Sequence, residues 1–144
     1  MRAVTTLDEL VELLEQHLDA QRDLFVRWSP GPESDRYERS VDHASGIEMP
    51  GLSVTMLTPP RWWTLPTTDW VARQIRAYDH LGEEQPDSYA WVLEGRMVDR
   101  GPDNEPLVVA VEPVARLAPA VLRTAAQREP RSPRPEDADA SWQA

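Results

Sequence analysis

The side chains able to do chemistry in this 144-residue chain are few in kind. Cysteine and lysine are both absent, so thiolate zinc sites, thiol nucleophiles, Schiff bases and P-loop ammonium chemistry drop out together. The three histidines, His17, His43 and His80, have no His-x-x-x-His spacing, and no metal site is expected. No Gly-x-Ser-x-Gly elbow, Gly-x-Gly-x-x-Gly turn or Walker loop occurs. What remains is aromatic and cationic. Of six tryptophans, Trp62 and Trp63 stand side by side between Pro60 and Pro66. Two adjacent large rings are hard to bury together, so one is expected to line a groove or an interface, where a ring brings much area at low entropy cost. Arg73 and Arg76, one helical turn apart beside Tyr78, form a second candidate, an anion site, in competition with 25 carboxylates.

The elements that must position these residues follow from periodicity. Leu7, Leu10, Val11, Leu14 and Leu18 recur at helical spacing, and Thr6 with Glu9 makes a capping box, so a helix is expected from Leu7 to Ala20. Leu24 to Trp28 reads as a short strand with Leu24, Val26 and Trp28 on one face and Phe25 and Arg27 on the other. An arginine in so apolar a strand needs a partner. The Pro- and Gly-containing stretch Ser29 to Gly51 is too long for an ordinary connection. Leu52 to Leu57 alternates as a second strand, whose polar face carries Ser53 and Thr55. A helix is expected over Asp69 to Leu81, ended by Gly82, then strands over Tyr89–Val98 and Leu107–Glu112 and a last helix over Pro119–Gln127. The turn between the two later strands carries Asp103 and Glu105.

This order predicts one α+β domain over residues 5–127, a small and mainly antiparallel sheet of about four strands with three helices packed on it. Residues 128–144, rich in Pro and acids, read as a flexible tail. The formal net charge of −10 argues against binding to phosphate backbones, which calls for a basic surface, so nucleic acid is not an expected partner. An amphipathic, acid-bearing N-terminus without an apolar core segment predicts no signal peptide, and no apolar run is long enough for a membrane span. A cytoplasmic protein is expected.

The wording of Val26-Arg27-Trp28-Ser29, Pro50-Gly51-Leu52-Ser53-Val54, Trp62-Trp63, Trp70-Val71-Ala72-Arg73-Gln74 and Gly101-Pro102-Asp103-Asn104-Glu105-Pro106-Leu107-Val108 resembles an uncharacterised family of small bacterial proteins, over about residues 22–126. Three further residues, in order, are similar to toxin-type ADP-ribosyltransferases: an early-strand Arg27, the hydroxyl strand Ser53-Val54-Thr55, and a late acidic turn, Asp103-Asn104-Glu105. Asp103 departs from that pattern, which has Glu or Gln there. The resemblance implies NAD as cofactor, with Arg27 gripping the pyrophosphate, Ser53 and Thr55 holding the nicotinamide side and Glu105 stabilising the oxocarbenium-like centre.

Two functions are therefore expected in competition. A non-catalytic binding module would use the aromatic loop at Trp62 and Trp63, with the long Ser29–Gly51 loop, to hold a protein, a small molecule or a second copy in a homodimer, with Arg27 and Glu105 apart. An NAD-consuming transferase or glycohydrolase would bring Arg27, Ser53 and Glu105 to one cleft.

Overall fold

A computed structural model describes residues 1–37 and 44–133. Among these the order is β1 (Arg2–Val4), α1 (Leu7–Asp19), β2 (Leu24–Ser29), α2 (Pro32–Tyr37), β3 (Leu52–Ser53), β4 (Thr55–Met56), α3 (Thr67–Ile75), α4 (Leu81–Glu84), β5 (Tyr89–Arg100), β6 (Pro106–Leu117) and α5 (Pro119–Gln127). A single 3₁₀ turn, Arg76–Tyr78, links α3 to α4. The sheet has six strands rather than four, and it is mixed: β1 runs parallel to β6, and every other pairing is antiparallel.

α1 forms where its periodicity says it should. Thr6 Oγ1 accepts from the Glu9 backbone N–H at 3.1 Å, and the Glu9 carboxylate reaches back to the Thr5 N–H at 2.8 Å, so the box closes one residue earlier than the usual pairing. Leu7, Leu10, Leu13 and Leu14 make its buried stripe. The helix expected over Asp69–Leu81 is broken instead: α3 ends at Ile75, the chain tightens into the 3₁₀ turn, and Gly82 lies inside α4 rather than closing a helix. The long Ser29–Gly51 stretch holds one further element, α2; residues 38–43 and His43 with them lie outside the described residues.

Leu52 to Leu57 is the other departure, and it shapes the molecule. The stretch is two short strands, the first paired with β6 (Leu52 opposite Val108) and the second with β2 (Phe25 opposite Met56). Since β2 also pairs with β5 and β5 with β6, this segment bridges the two strands that flank β5 in a curled sheet. The curl comes from the β5–β6 hairpin, whose register shifts at Val92/Leu93, Glu94/Arg96 and Met97/Asp99 bend the ribbon three times. Gly51 permits the seam, because a Cβ there would meet the Val108 backbone oxygen at 2.9 Å.

Alternation along the strands then separates two apolar cores. Leu24, Val26, Ala90, Val92, Ala115 and Leu117 face the helices and pack on α1, α3 and α5. Phe25, Trp91, Leu93, Leu52, Val54 and Val108 fill the concave side of the curl. Arg27 and Ser29, on the Phe25 face of β2, sit at the end of that second core, while Trp28 packs on the first.

Candidate functional site

The polar side chains of β2 belong to one continuous hydrogen-bonded chain. Trp91 Nε1 donates to Ser29 Oγ at 2.9 Å, and Ser29 Oγ donates to Asp35 Oδ2 at 2.6 Å. Asp35, presented by α2, takes Arg27 Nε at 2.8 Å and Arg27 Nη2 at 3.2 Å, a bidentate pair whose carboxylate is 6% exposed. The remaining guanidinium nitrogen, Nη1, donates to the Ser53 carbonyl at 2.7 Å. Ser53 Oγ in turn lies 3.3 Å from Glu105 Oε1, and Glu105 Oε2 accepts from the Asp103 N–H at 2.9 Å. Gly101 gives the Glu105 carboxylate room, because any Cβ at that position would collide with it. Asn104, at φ 61°, supplies the left-handed turn residue, and Gly101 N–H donates to the Glu105 carbonyl at 2.8 Å.

Arg27, Ser53 and Glu105 are thus brought together, Arg27 on the carbonyl of Ser53 and Glu105 on its hydroxyl. Arg27 and Glu105 are linked only through Ser53, with no hydrogen bond or ion pair between their own side chains among the described residues, and of the three only Glu105 lines the cleft described below. All three guanidinium nitrogens of Arg27 are engaged, by Asp35 and Ser53, and Glu105 helps to fasten the β5–β6 turn. Thr55 points elsewhere, to the Tyr78 hydroxyl at 3.1 Å. Tyr78 stacks on Trp28, ring centroids 5.8 Å apart, and burial raises its phenol above its ordinary pKa, against the opposing pull of the Thr55 hydrogen bond and the Arg27 charge.

The open space lies on the other side of Thr55. A cleft of about 610 Å³ runs between the β4–α3 connection and the β5–β6 turn, with Thr55, Gln74 and Glu105 in its walls. Pro59, Pro60 and Pro106 also line it, and Trp62 and Trp70 form its aromatic side. Gln74 is held there by its side-chain amide, which donates to the Met56 carbonyl at 2.8 Å. The neighbouring tryptophans divide as expected of adjacent rings: Trp63 is 9% exposed and bonds its indole N–H to the Pro66 carbonyl, whereas Trp62 is 61% exposed. The rings of Trp62, Trp63 and Trp70 meet edge to face at centroid distances of 5.1–6.2 Å. Arg73 lies over both inner rings, 5.8 Å from Trp63 and 5.7 Å from Trp70, while Arg76 reaches the Ala126 carbonyl, so the two arginines make no joint anion site.

Trp70 Nε1 is buried without a hydrogen-bond partner among the described residues. Its place on a helical inner stripe reads as core, and only the fold, which lays that stripe against the cleft, marks it as part of a site. Arg61, Gln74 and Arg100 were equally invisible as wall residues, because the strands and turns that gather them are remote in sequence. A second cavity, about 380 Å³, opens beside Trp91 and Asp35 at the mouth of the curled sheet. Of the histidines, His17 is bound to the Leu13 carbonyl and lies 3.0 Å from Glu94, and His80 is exposed.

This is a small α+β protein with a curled mixed sheet, helices α1, α3 and α5 packed on one face of it, and a tryptophan-walled cleft. The chain belongs to the family of unknown function DUF6098, which it matches over residues 1–140. No curated protein and no solved structure matches it. Among the described residues no helix is long and apolar enough to cross a membrane.

Proposed function

We propose that this protein is a non-catalytic binding module that holds an extended, proline-containing protein segment in the cleft beneath Trp62. The observation that carries this reading is the exposure of Trp62, 61%, on top of two buried tryptophans at the edge of a 610 Å³ cleft. An indole fixed by edge-to-face packing is an anchor that loses little entropy when it is covered. Grooves walled by aromatic rings and prolines suit a polyproline II segment, whose stiffness lowers the cost of ordering it.

The test is a display library of 12-residue peptides selected on the full chain, with Trp62→Ala protein as counter-selection. Enrichment of proline- and aromatic-containing sequences that lose at least about tenfold in affinity, about 1.4 kcal/mol, on Trp62→Ala supports the reading. Selection of nothing, or of peptides indifferent to Trp62, overturns it.

A second reading, an NAD-consuming transferase, draws on the meeting of Arg27, Ser53 and Glu105. It requires Arg27 to exchange Asp35 for a pyrophosphate. Thermal unfolding with NAD at about 100 times a micromolar dissociation constant decides it, since a site on the folded chain would add about 2.7 kcal/mol. Absence of any shift removes the reading.

A further inference from the structure

Residues 128–133 do not leave the domain where α5 ends. Arg128 Nε donates to Asp69 Oδ1 at 3.0 Å and Arg131 Nη1 lies 3.5 Å from Asp69 Oδ2, so the chain is strapped along α3 after its last helix. Arg73 and Ser132 line the same small groove. Arg73 is also the residue that covers Trp63 and Trp70, and Trp70 touches Trp62. The strap therefore ends in a groove beside Arg73, the residue that covers the two inner tryptophans. Residues 134–144, which lie outside the described residues, follow immediately and contain Pro135, Glu136, Asp137, Asp139 and Trp142.

From this placement, and resting on the peptide-binding reading above, we infer that the cleft's resident occupant is the chain's own C-terminal segment, residues 134–144, which competes with outside partners. Reach is sufficient, since the nine residues from Arg134 to Trp142 span up to roughly 30 Å when extended. Charge favours the tryptophan end alone: there Arg61 in the wall and Arg73 over the inner rings form no ion pair among the described residues, whereas Asp23 and Glu105 line the cleft elsewhere, and the segment offers three carboxylates against one arginine. Chemistry matches as well, because Pro135 and Trp142 are the side chains that a tryptophan cleft with proline walls accepts. The family match runs on to residue 140, past the last element of the fold. A tethered segment acts at an effective concentration in the millimolar range, so even a weak contact keeps the cleft largely filled.

The absence of native cysteine allows a clean test on the full chain. A nitroxide on Ala144→Cys is expected to broaden the indole N–H signals of Trp62 and Trp70, and Trp62→Ala is expected to abolish the broadening at Trp70. A tail that merely wanders would broaden Trp70 equally in both proteins, and that result, or no broadening at all, overturns the inference. Mixing spin-labelled chains with separate isotope-labelled chains must give no broadening; if it does, the occupant is a second copy and the intramolecular inference fails. In the Pro135→Ala, Trp142→Ala protein, a library-selected peptide is expected to bind at least about threefold tighter, as when a tail filling two-thirds of the clefts is removed. Unchanged peptide affinity overturns self-occupancy while leaving the peptide-binding reading intact. A library that selects nothing while the tail still broadens Trp70 in a Trp62-dependent way leaves self-occupancy standing and removes the outside partner.

Discussion

Arg27 follows Phe25 and Val26 on β2, and its charge is acceptable there because Asp35 and the Ser53 carbonyl take every guanidinium nitrogen. Removing it strands the Asp35 carboxylate, 6% exposed, with only the Ser29 hydroxyl. Arg27→Gln is expected to cost on the order of 3 kcal/mol in urea unfolding, and Arg27→Gln with Asp35→Asn to cost clearly less than the sum of the two single changes. Additive costs would mean that the pair does not act as a unit. Tyr78 carries the pH dependence on this side. Its raised pKa means that the folded chain holds the phenol proton more tightly than the unfolded chain, whose phenol titrates near the ordinary value of 10.0. The corresponding stability is complete below that value and falls as pH rises through the higher folded one. Tyr78→Phe is expected to flatten this alkaline decline of the urea midpoint; an equally steep decline in the variant would place its origin elsewhere.

Elements here are set by local rules that the tertiary structure then bends. At the N-terminus of α1 the Glu9 carboxylate is held below its ordinary range, chiefly by the Thr5 backbone N–H, whose pull outweighs an opposing desolvation and is helped by Arg2 and the Thr5 hydroxyl. That contribution exists above the ordinary carboxylate range and is lost as pH falls through the lowered value. Thr6→Ala removes the side-chain cap and is expected to lower stability by about 1 kcal/mol, read as a drop in urea midpoint at unchanged slope. β6 shows the bending most directly. Ala110 is an exposed alanine at φ 55°, in the stretch where β6 carries an extra residue opposite Gly95. A left-handed alanine costs roughly 1–2 kcal/mol, and glycine at the same place gives part of that back as unfolded-chain entropy. Ala110→Gly is therefore expected to stabilise the protein by about 0.5–1 kcal/mol. A loss of stability would show that the bulge does not strain the strand.

For the whole molecule the dominant electrostatic fact is the excess of 25 acids over 15 arginines. Like charge on a small body opposes compaction, and salt screens it over a Debye length of about 8 Å at physiological ionic strength. The thermal midpoint is expected to rise as sodium chloride is raised from low concentration to that level. A fall would mean that the ion pairs at Asp35 and Asp69, and not the net charge, dominate the salt response.

Much of the helical layer was legible from the sequence because the signals are local. Five leucine and valine positions and a capping box give α1, Pro119 at a first turn gives α5, and alternation puts Leu24, Val26 and Trp28 opposite Phe25 and Arg27. Three-residue β1 has no period to detect, and the alternation of Leu52–Leu57 is the same whether one strand or two partners take it. The need of Arg27 for a partner was likewise readable; its identity, Asp35 with the Ser53 carbonyl, was not. The sequence alone determined most of the buried stripes and that one of two adjacent rings would stay exposed; that the exposed ring is Trp62, and that Leu13 rather than Leu18 is buried, was decided by the packing. Only the tertiary structure decided that Trp62, Trp70, Gln74 and Glu105 share one cleft and that Arg128 and Arg131 strap the chain along α3. The physical reason is that burial and helix formation are encoded within a few residues, whereas bulge-driven curling and long-range pairing depend on where distant strands close upon each other.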